Sequence, residues 1–280
     1  ALPADWRHRI GAVAAVTARL HRLGVEHGDL NLRNFLFVPS GEIHILDLDK
    51  AQRRRPPLPA AARRRNLARL ERSLRKLGRE TQCDALNVKC HYELSEMFQF
   101  TACVPLSFLS REFVCSCEGD LMASATQLML HYLTDNQTVY GDIHEVFSDR
   151  LTFSCCGLNP IGMCDPSRCL ISRYNADFQG ISNSSPYVPG QRVTVARLAA
   201  RGDDYKMHIT TGVTTDTFNW HEVNCPPPPA TDVILDDDAL WFAKTIASNH
   251  YGMVYGDVRS QLIDLCEILG VRVVTYPGKG

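Results

Sequence analysis

The pattern of hydrophobic and polar positions at the front of the chain predicts two helices separated by a pair of strands. Residues 5–23 place apolar side chains largely on one helical stripe, and Gly24 is a natural stop. The apolar segments 35–38 and 42–48 flank the turn sequence PSG, which is typical of paired strands. Leucines then recur every three or four residues within 66–77, so this segment predicts an amphipathic helix.

The pattern after residue 100 predicts further strands and helices in alternation. Residues 114–133 read as a short strand that runs into a helix beginning near Glu118, and residues 138–143 read as a strand. Residues 257–270 form a periodic helical segment that ends at a glycine, followed by the apolar strand 271–276. This part of the sequence therefore indicates an α/β arrangement.

A stretch rich in β-branched residues lies between these α/β segments. The strands predicted at 192–199 and 205–212 indicate antiparallel, barrel-like β structure. The proline run at 225–232 predicts an extended loop, and residues 236–250 resume a helix-like pattern. The predicted fold class is therefore mixed, α/β and α+β.

The charge distribution changes abruptly near residue 80. Residues 1–80 contain 17 Lys and Arg against 8 Asp and Glu, whereas residues 81–280 contain 13 against 23. All 11 cysteines also lie in the second part. The break predicts a fusion of two polypeptides of different ancestry, with parts at 1–80, 81–137 and 138–280. With no visible signal peptide and no apolar run of ~18 residues, we expect a cytoplasmic protein with reduced thiols.

The segment HGDLNLRN at residues 27–34 matches the sequence motif of a phosphoryl-transfer catalytic loop. In such a loop Asp29 would accept the proton of the attacking hydroxyl, and Asn34 would hold a metal ion. Asp47, thirteen residues later, stands where the metal-binding Asp of D-F-G is expected. These motifs resemble the lipopolysaccharide kinase family, and within it the Kdo kinases, over about residues 5–80. The resemblance implies Mg²⁺ and ATP as cofactors of that part, with Kdo on lipid A as the substrate.

The kinase-like part is expected to be a fragment of the C-terminal lobe. Neither a Gly-rich phosphate loop nor a strand-borne Lys precedes HGDLNLRN in this sequence, so we expect little phosphoryl transfer, which depends on positioning. Two interpretations of the basic segment 53–76 remain open. It contacts an anionic membrane, as the resemblance implies, or it is a solvated connector.

A second set of candidate site residues comprises Glu118 in CEGDL, Asp142 in YGDI 24 residues later, and His250 in NHYG. Taken singly, these would be a helix-start charge, a turn residue and a loop histidine. Together they resemble the L-fucose isomerase family over about residues 85–276. The resemblance implies that the three residues hold Mn²⁺ or Mg²⁺, that Asn249 binds the hydroxyls of a sugar such as L-fucose or D-arabinose, and that the protein is a homo-oligomer, a hexamer with shared sites.

The chemistry of an aldose–ketose isomerase suits this set of residues. A proton must move between C2 and C1 of an open-chain sugar, and two carboxylates beside a metal ion can act as general acid and base. Two carboxylates and one imidazole suit Mn²⁺ or Mg²⁺ better than Zn²⁺. Glu118 is predicted at a helix start and Asp142 at a strand end, while Asp120 supports the helix start. Trp220 would stack on the sugar or pack in the interior.

Three hypotheses therefore remain open from the sequence. The first is a metal-dependent isomerase of the L-fucose type in residues 81–280. The resemblance covers only the C-terminal part of such an enzyme, so it implies that the N-terminal domains, which contribute to the sugar pocket, are missing. The second is an ATP-dependent Kdo kinase in residues 1–80. The third is a non-catalytic fusion of two fragments. None of the three includes a nucleic-acid partner.

Overall fold

The structure is a computed structural model of the 280-residue chain. It describes most of the chain from residue 60 onward and four short strands before it. The described ranges are 23–26, 35–37, 43–45, 52–53, 60–89, 101–155, 157–173, 181–217 and 231–277.

The first part of the chain contains two antiparallel strand pairs. Strand β1 (Val25–Glu26) pairs with β4 (Gln52–Arg53). Strand β2 (Phe35–Phe37) pairs with β3 (Ile43–Ile45), which confirms the strand pair predicted on either side of the PSG turn. The helix predicted at 5–23 lies outside the described residues apart from its last position.

Helix α1 (Ala60–Thr81) contains the predicted amphipathic segment 66–77 and extends beyond it at both ends. Leu74 on this helix packs against the main hydrophobic core, together with Phe113. Gly78 lies so close to Phe113 that a β-carbon built on it would be 2.6 Å from the ring. A side chain at this position would therefore displace the Phe113 ring where the helix meets the rest of the fold.

Ion pairs also join α1 to Glu112, which lies just before the strand that begins at Val114. The Nε atom of Arg75 lies 2.8 Å from Oε1 of Glu112, and Nη2 of Arg79 lies 2.8 Å from Oε2 of the same carboxylate. Helix α2 (Cys103–Leu109), which precedes Glu112, packs against α1. Residue 80, where the domain boundary is predicted, lies in the last turn of α1, and the boundary stays a prediction.

A small α/β layer follows α1. Strand β5 (Ala85–Val88) pairs in parallel with β6 (Val114–Cys117), in which all four residues are buried. A short turn connects β6 to helix α3 (Leu121–Thr134). This confirms the predicted strand-to-helix segment. The helix begins three residues after Glu118, because Asp120 is the residue whose side chain accepts a hydrogen bond from the first turn.

The remaining described elements follow in chain order. The strands are β7 (Thr138–Val146), β8 (Arg150–Ser154), β9 (Ile171–Arg173), β10 (Ile181–Asn183), β11 (Arg192–Arg201), β12 (Asp204–Thr215), β13 (Thr231–Leu235), β14 (His250–Tyr255) and β15 (Arg272–Val274). The helices are a 3-10 turn at Pro166–Arg168, α4 (Ala239–Thr245) and α5 (Arg259–Leu269).

Six of these strands close into an antiparallel barrel. The order β11–β14–β7–β8–β13–β12 returns to β11, because β12 and β11 pair along the whole length of β11. Strand β15 adds to β12 in parallel on the outside of this circuit, and β9 pairs with β10 separately. Closure pairs the edges that an open sheet would leave exposed. The barrel confirms the predicted antiparallel β-rich part of the fold.

Two hydrophobic clusters lie on opposite faces of the barrel wall. Along β11, Val193 and Val195 belong to the main cluster, which also contains residues of β6 and α2. Ala196 and Leu198 belong to a second cluster with Leu262 of α5 and partly buried side chains of α3. The alternation is the period of two expected of a strand buried on both faces. Helix α3 is thereby fixed against the outside of the barrel.

The described residues also bear on membrane insertion and on the cysteines. None of the described helices combines the length and the hydropathy that a bilayer span requires. Five of the cysteines that the structure describes are free thiols: Cys83, Cys115, Cys164, Cys169 and Cys266.

Candidate metal centre

Glu118, Asp142 and His250 converge at the point where β6 ends and β14 begins. One ligand atom from each lies within 4.8 Å of the others. The Nε2 atom of His250 is 3.4 Å from Oε2 of Glu118 and 3.3 Å from Oδ1 of Asp142. All three side chains are largely buried, with 15–21% of each exposed. The structure therefore brings together the three residues predicted as metal ligands.

The strand register explains why Asp142 and His250 meet. Strands β7 and β14 pair antiparallel, with Asp142 directly opposite His250. Side chains on directly opposite residues of an antiparallel pair lie close together. Asp142 was predicted at a strand end, but it lies within β7, and the register of β7 against β8 shifts between Ile143 and Glu145.

Glu118 reaches the site from a turn rather than from a helix. It adopts a left-handed backbone conformation with φ of +65°, and Gly119 follows with φ of +75°. Such a conformation is uncommon for a residue with a side chain, and it concentrates at functional sites. The prediction that Glu118 begins the helix is therefore corrected, because two left-handed residues separate β6 from α3.

Asn87 of β5 holds this turn in place. Its Oδ1 accepts a hydrogen bond from the backbone N–H of Gly119 at 3.0 Å, and its Nδ2 donates to the backbone oxygen of Asp120 at 3.1 Å. Nδ2 also donates to Ser124 Oγ at 2.8 Å. No local sequence signal marks Asn87, since its role depends on the parallel pairing of β5 with β6.

Asp120 touches the imidazole of His250 on the side away from the other two carboxylates. Its Oδ2 accepts a hydrogen bond from Nδ1 of His250 at 2.9 Å and another from Nη1 of Arg197 at 2.7 Å. Its Oδ1 accepts from the backbone N–H of Ala123 at 2.9 Å, which confirms the prediction that Asp120 supports the helix start. The contacts with His250 and Arg197 were not predicted.

Asn249 and Tyr140 complete the polar surroundings. The Nδ2 of Asn249 donates to Oδ1 of Asp142 at 2.9 Å, so this amide orients a carboxylate of the cluster. The predicted contact of Asn249 with a sugar stays a prediction. The hydroxyl of Tyr140 is 3.4 Å from Nε2 of His250, and the two rings meet edge to face. Tyr140 was not predicted as a site residue.

The three carboxylates control protonation at the centre. Burial opposes a charge on His250, but hydrogen bonds to Asp120, Asp142 and Glu118 outweigh it and raise its pKa to about 11. Burial likewise opposes a charge on Asp120, but hydrogen bonds from His250, Arg197 and the Ala123 backbone hold the pKa of this carboxyl well below its usual range. The surrounding carboxylates therefore favour the charged, imidazolium form of His250.

This donor set fits a hard divalent cation. Two carboxylate oxygens and one imidazole nitrogen converge from three strand and turn positions, and their separations are compatible with a shared ligand position. Oxygen-rich sets of this kind suit Mn²⁺ or Mg²⁺. Residues 118, 142 and 250 would be the ligands.

The other predicted site residues lie outside the described part of the chain. This applies to the kinase-like residues Asp29, Asn34 and Asp47, and to the proposed stacking residue Trp220. Their roles stay predictions.

Comparison with known proteins gives a match for the first third of the chain. Residues 3–92 match the Lipopolysaccharide kinase (Kdo/WaaP) family. A 3-deoxy-D-manno-octulosonic acid kinase of Xylella fastidiosa (strain M12) is 41% identical over 75 residues, which are 26% of this chain and 29% of that protein. One of Xanthomonas campestris pv. campestris (strain B100) is 48% identical over 69 residues, 24% of this chain and 26% of that protein.

The chain therefore spans less than a third of the length of the curated relatives it matches. The match confirms the kinase-like resemblance predicted at about residues 5–80, and it extends to residue 92, through β5. These comparisons do not support the isomerase resemblance of residues 85–276, which stays an interpretation of the second part.

Proposed function

We propose that residues 101–277 carry a metal-dependent site for proton transfer on an open-chain sugar, of the aldose–ketose isomerase type. The observation that carries the proposal is the convergence of Glu118, Asp142 and His250 within 4.8 Å. Mn²⁺ or Mg²⁺ held there would polarise the substrate carbonyl and stabilise the charge that develops on its oxygen.

The protein's own residues would perform the proton transfers. Glu118 and Asp142 each place a carboxylate at the centre, so one can take a proton from the sugar carbon while the other serves the neighbouring oxygen. Asn249 fixes the orientation of Asp142 through its 2.9 Å hydrogen bond. Burial of the centre keeps bulk water away from the exchanged proton.

The test is ketose formation from L-fucose and from D-arabinose with Mn²⁺ present. Glu118→Gln and Asp142→Asn should each lower the rate by ~10²–10⁴-fold, because each removes a general acid or base. Asp29→Asn, in the kinase-like part, is the matched carboxylate-to-amide control and should leave the rate unchanged. Full activity in Glu118→Gln would refute the proposal. An inactive wild type that nevertheless binds Mn²⁺ would instead favour a non-catalytic fusion.

A second candidate function rests on the comparisons, which support it more directly than they support the first. The relatives matched by the first third of the chain are 3-deoxy-D-manno-octulosonic acid kinases, and HGDLNLRN with Asp47 supplies the corresponding motif. The candidate activity is phosphorylation of Kdo on lipid A with ATP and Mg²⁺. Product that disappears in Asp29→Ala, with Glu118→Gln unaffected, would establish it. Product that survives in Asp29→Ala would come from another source.

A further inference from the structure

We infer that Asp120 is a positioning residue that orients His250 so that its Nε2, and not its Nδ1, serves as the metal ligand. The inference rests on the metal site proposed above. It deepens that proposal by assigning a role to a carboxylate that lies outside the predicted ligand set.

The two nitrogens of His250 face different partners. Nε2 points toward Glu118 and Asp142, at 3.4 and 3.3 Å. Nδ1 lies 2.9 Å from Oδ2 of Asp120. Once a cation displaces one proton from the ring, a single proton remains, and the hydrogen bond at its nitrogen decides which of the two nitrogens keeps it. A carboxylate accepts but cannot donate, so Asp120 keeps the proton on Nδ1 and leaves the Nε2 lone pair for a cation.

Asp120 is itself fixed from two sides and is not a ligand. Nη1 of Arg197 donates to Oδ2 at 2.7 Å, and the backbone N–H of Ala123 donates to Oδ1 at 2.9 Å. Both oxygens are therefore engaged, and both Arg197 and Asp120 are largely buried. The carboxylate joins the start of α3 to the start of β14, two elements 130 residues apart in the chain.

Substitution of Asp120 by Asn separates this role from the helix cap. Asn caps a helix about as well as Asp does, so its oxygen can still accept from Ala123. Its NH₂ group then faces Nδ1 of His250 and can only donate. A proton on Nδ1 is then disfavoured, and the ring keeps its proton on Nε2, between Glu118 and Asp142, where it occupies the lone pair that a metal ion needs. Loss of such an outer carboxylate typically lowers metal affinity by ~10–100-fold.

Asp238 provides a matched control at another helix. It is the N-cap of α4, where its Oδ1 accepts from the backbone N–H of Trp241. Asp238→Asn makes the same chemical change at the same helix position, away from the centre. Asp238→Asn should leave the stability of the protein nearly unchanged. Asp120→Asn also replaces the acceptor of the buried Arg197 guanidinium, so it should unfold at a lower denaturant concentration. A cooperative unfolding transition in both variants establishes that each of them folds.

The experiment combines Mn²⁺ calorimetry with nitrogen-15 NMR of the histidine rings in the metal-free, full-length protein. Mn²⁺ affinity should fall ~10–100-fold in Asp120→Asn and stay unchanged in Asp238→Asn. The proton bound to Nδ1 of His250 should give a slowly exchanging signal in the wild type that is lost in Asp120→Asn. An affinity within twofold of the wild type in Asp120→Asn would overturn the inference.

The NMR measurement keeps this inference distinguishable from the proposed function. If the wild type binds no Mn²⁺, the proposed metal site fails. The Nδ1 signal still decides the role of Asp120, because retention of that signal in Asp120→Asn overturns the orientation of His250 by this carboxylate.

Discussion

Metal binding at the candidate centre should release close to one proton from the protein near neutral pH. The perturbation is the addition of Mn²⁺ or Mg²⁺ to the metal-free protein. The pKa of His250 is about 11, because hydrogen bonds to Asp120, Asp142 and Glu118 outweigh the opposing effect of burial. The ring is therefore protonated at pH 6.5–8.5, and Nε2 must lose its proton before it can bind a cation.

The magnitude follows from this single competing proton. Each pH unit below the pKa lowers the fraction of neutral His250 tenfold, so the apparent metal affinity should rise about tenfold per unit and about a hundredfold between pH 6.5 and 8.5. His250→Gln removes the titrating group and keeps a polar side chain between Asp120 and Asp142. This variant should bind more weakly, with an affinity that hardly changes over the same range.

Calorimetry in buffers of different ionisation enthalpy measures the released proton directly. At one pH, the slope of the observed heat against the buffer enthalpy gives the number of protons released per ion bound. We expect a value near one for the wild type and near zero for His250→Gln. Less than half a proton from the wild type, or equal release from both proteins, would refute the assignment of His250 as a protonated ligand.

Three further predictions concern stability. The pKa of His250 is raised in the folded state, so protonation of this ring stabilises the fold fully below about pH 6.5, and this stabilisation is lost as the pH rises toward 11. The melting temperature of the metal-free wild type should therefore fall more between pH 7 and 10 than that of His250→Gln. Gly78→Ala should lower the free energy of unfolding by ~1–3 kcal/mol, since its β-carbon would meet the Phe113 ring at 2.6 Å. Adding Phe113→Leu to this variant should recover part of the lost stability. If denaturant titration shows that the two losses simply add, the predicted steric clash is wrong. Phe153→Ala should cost ~3–5 kcal/mol because this side chain is fully buried in the main cluster, whereas Tyr132→Ala, at 65% exposure, should change the denaturation midpoint little.

The sequence predicts elements well where their buried and exposed faces differ. The strand predicted at 205–212 is the central part of β12 (Asp204–Thr215). The helix predicted at 257–270 is α5 (Arg259–Leu269), ended by Gly270 with φ of +69°. In both, a local period and a terminating residue carry enough information.

The sequence fails where the reason for a residue lies in a distant element. The helix-like pattern at 236–250 is realised only in α4, and β14 begins at His250. Gly252 within β14 argues locally against a strand. A β-carbon there would be 3.2 Å from Cγ2 of Thr126 in α3, so the glycine allows close packing of helix on strand. This requirement appears only when the two elements are assembled.

The same distinction applies to the residues of the candidate centre. Sequence motifs at a fixed spacing identify Glu118, Asp142 and His250, and the structure brings them together. The residues that hold them in place do not belong to such motifs. Asn87 acts through the β5–β6 pairing, and Arg197 acts through its position on β11. Their roles follow from register between segments far apart in the chain.

The left-handed turn at Glu118 constrains how this sequence can drift. A side chain in that conformation costs roughly 1–2 kcal/mol relative to glycine, which adopts it freely. Chance substitution should therefore favour Gly or Asn at position 118 in any lineage that no longer needs the carboxylate. Glutamate would persist only where selection on metal binding offsets the strain. The residue type at position 118 in other sequences of this second part would therefore separate lineages that keep a working centre from those that retain only the fold.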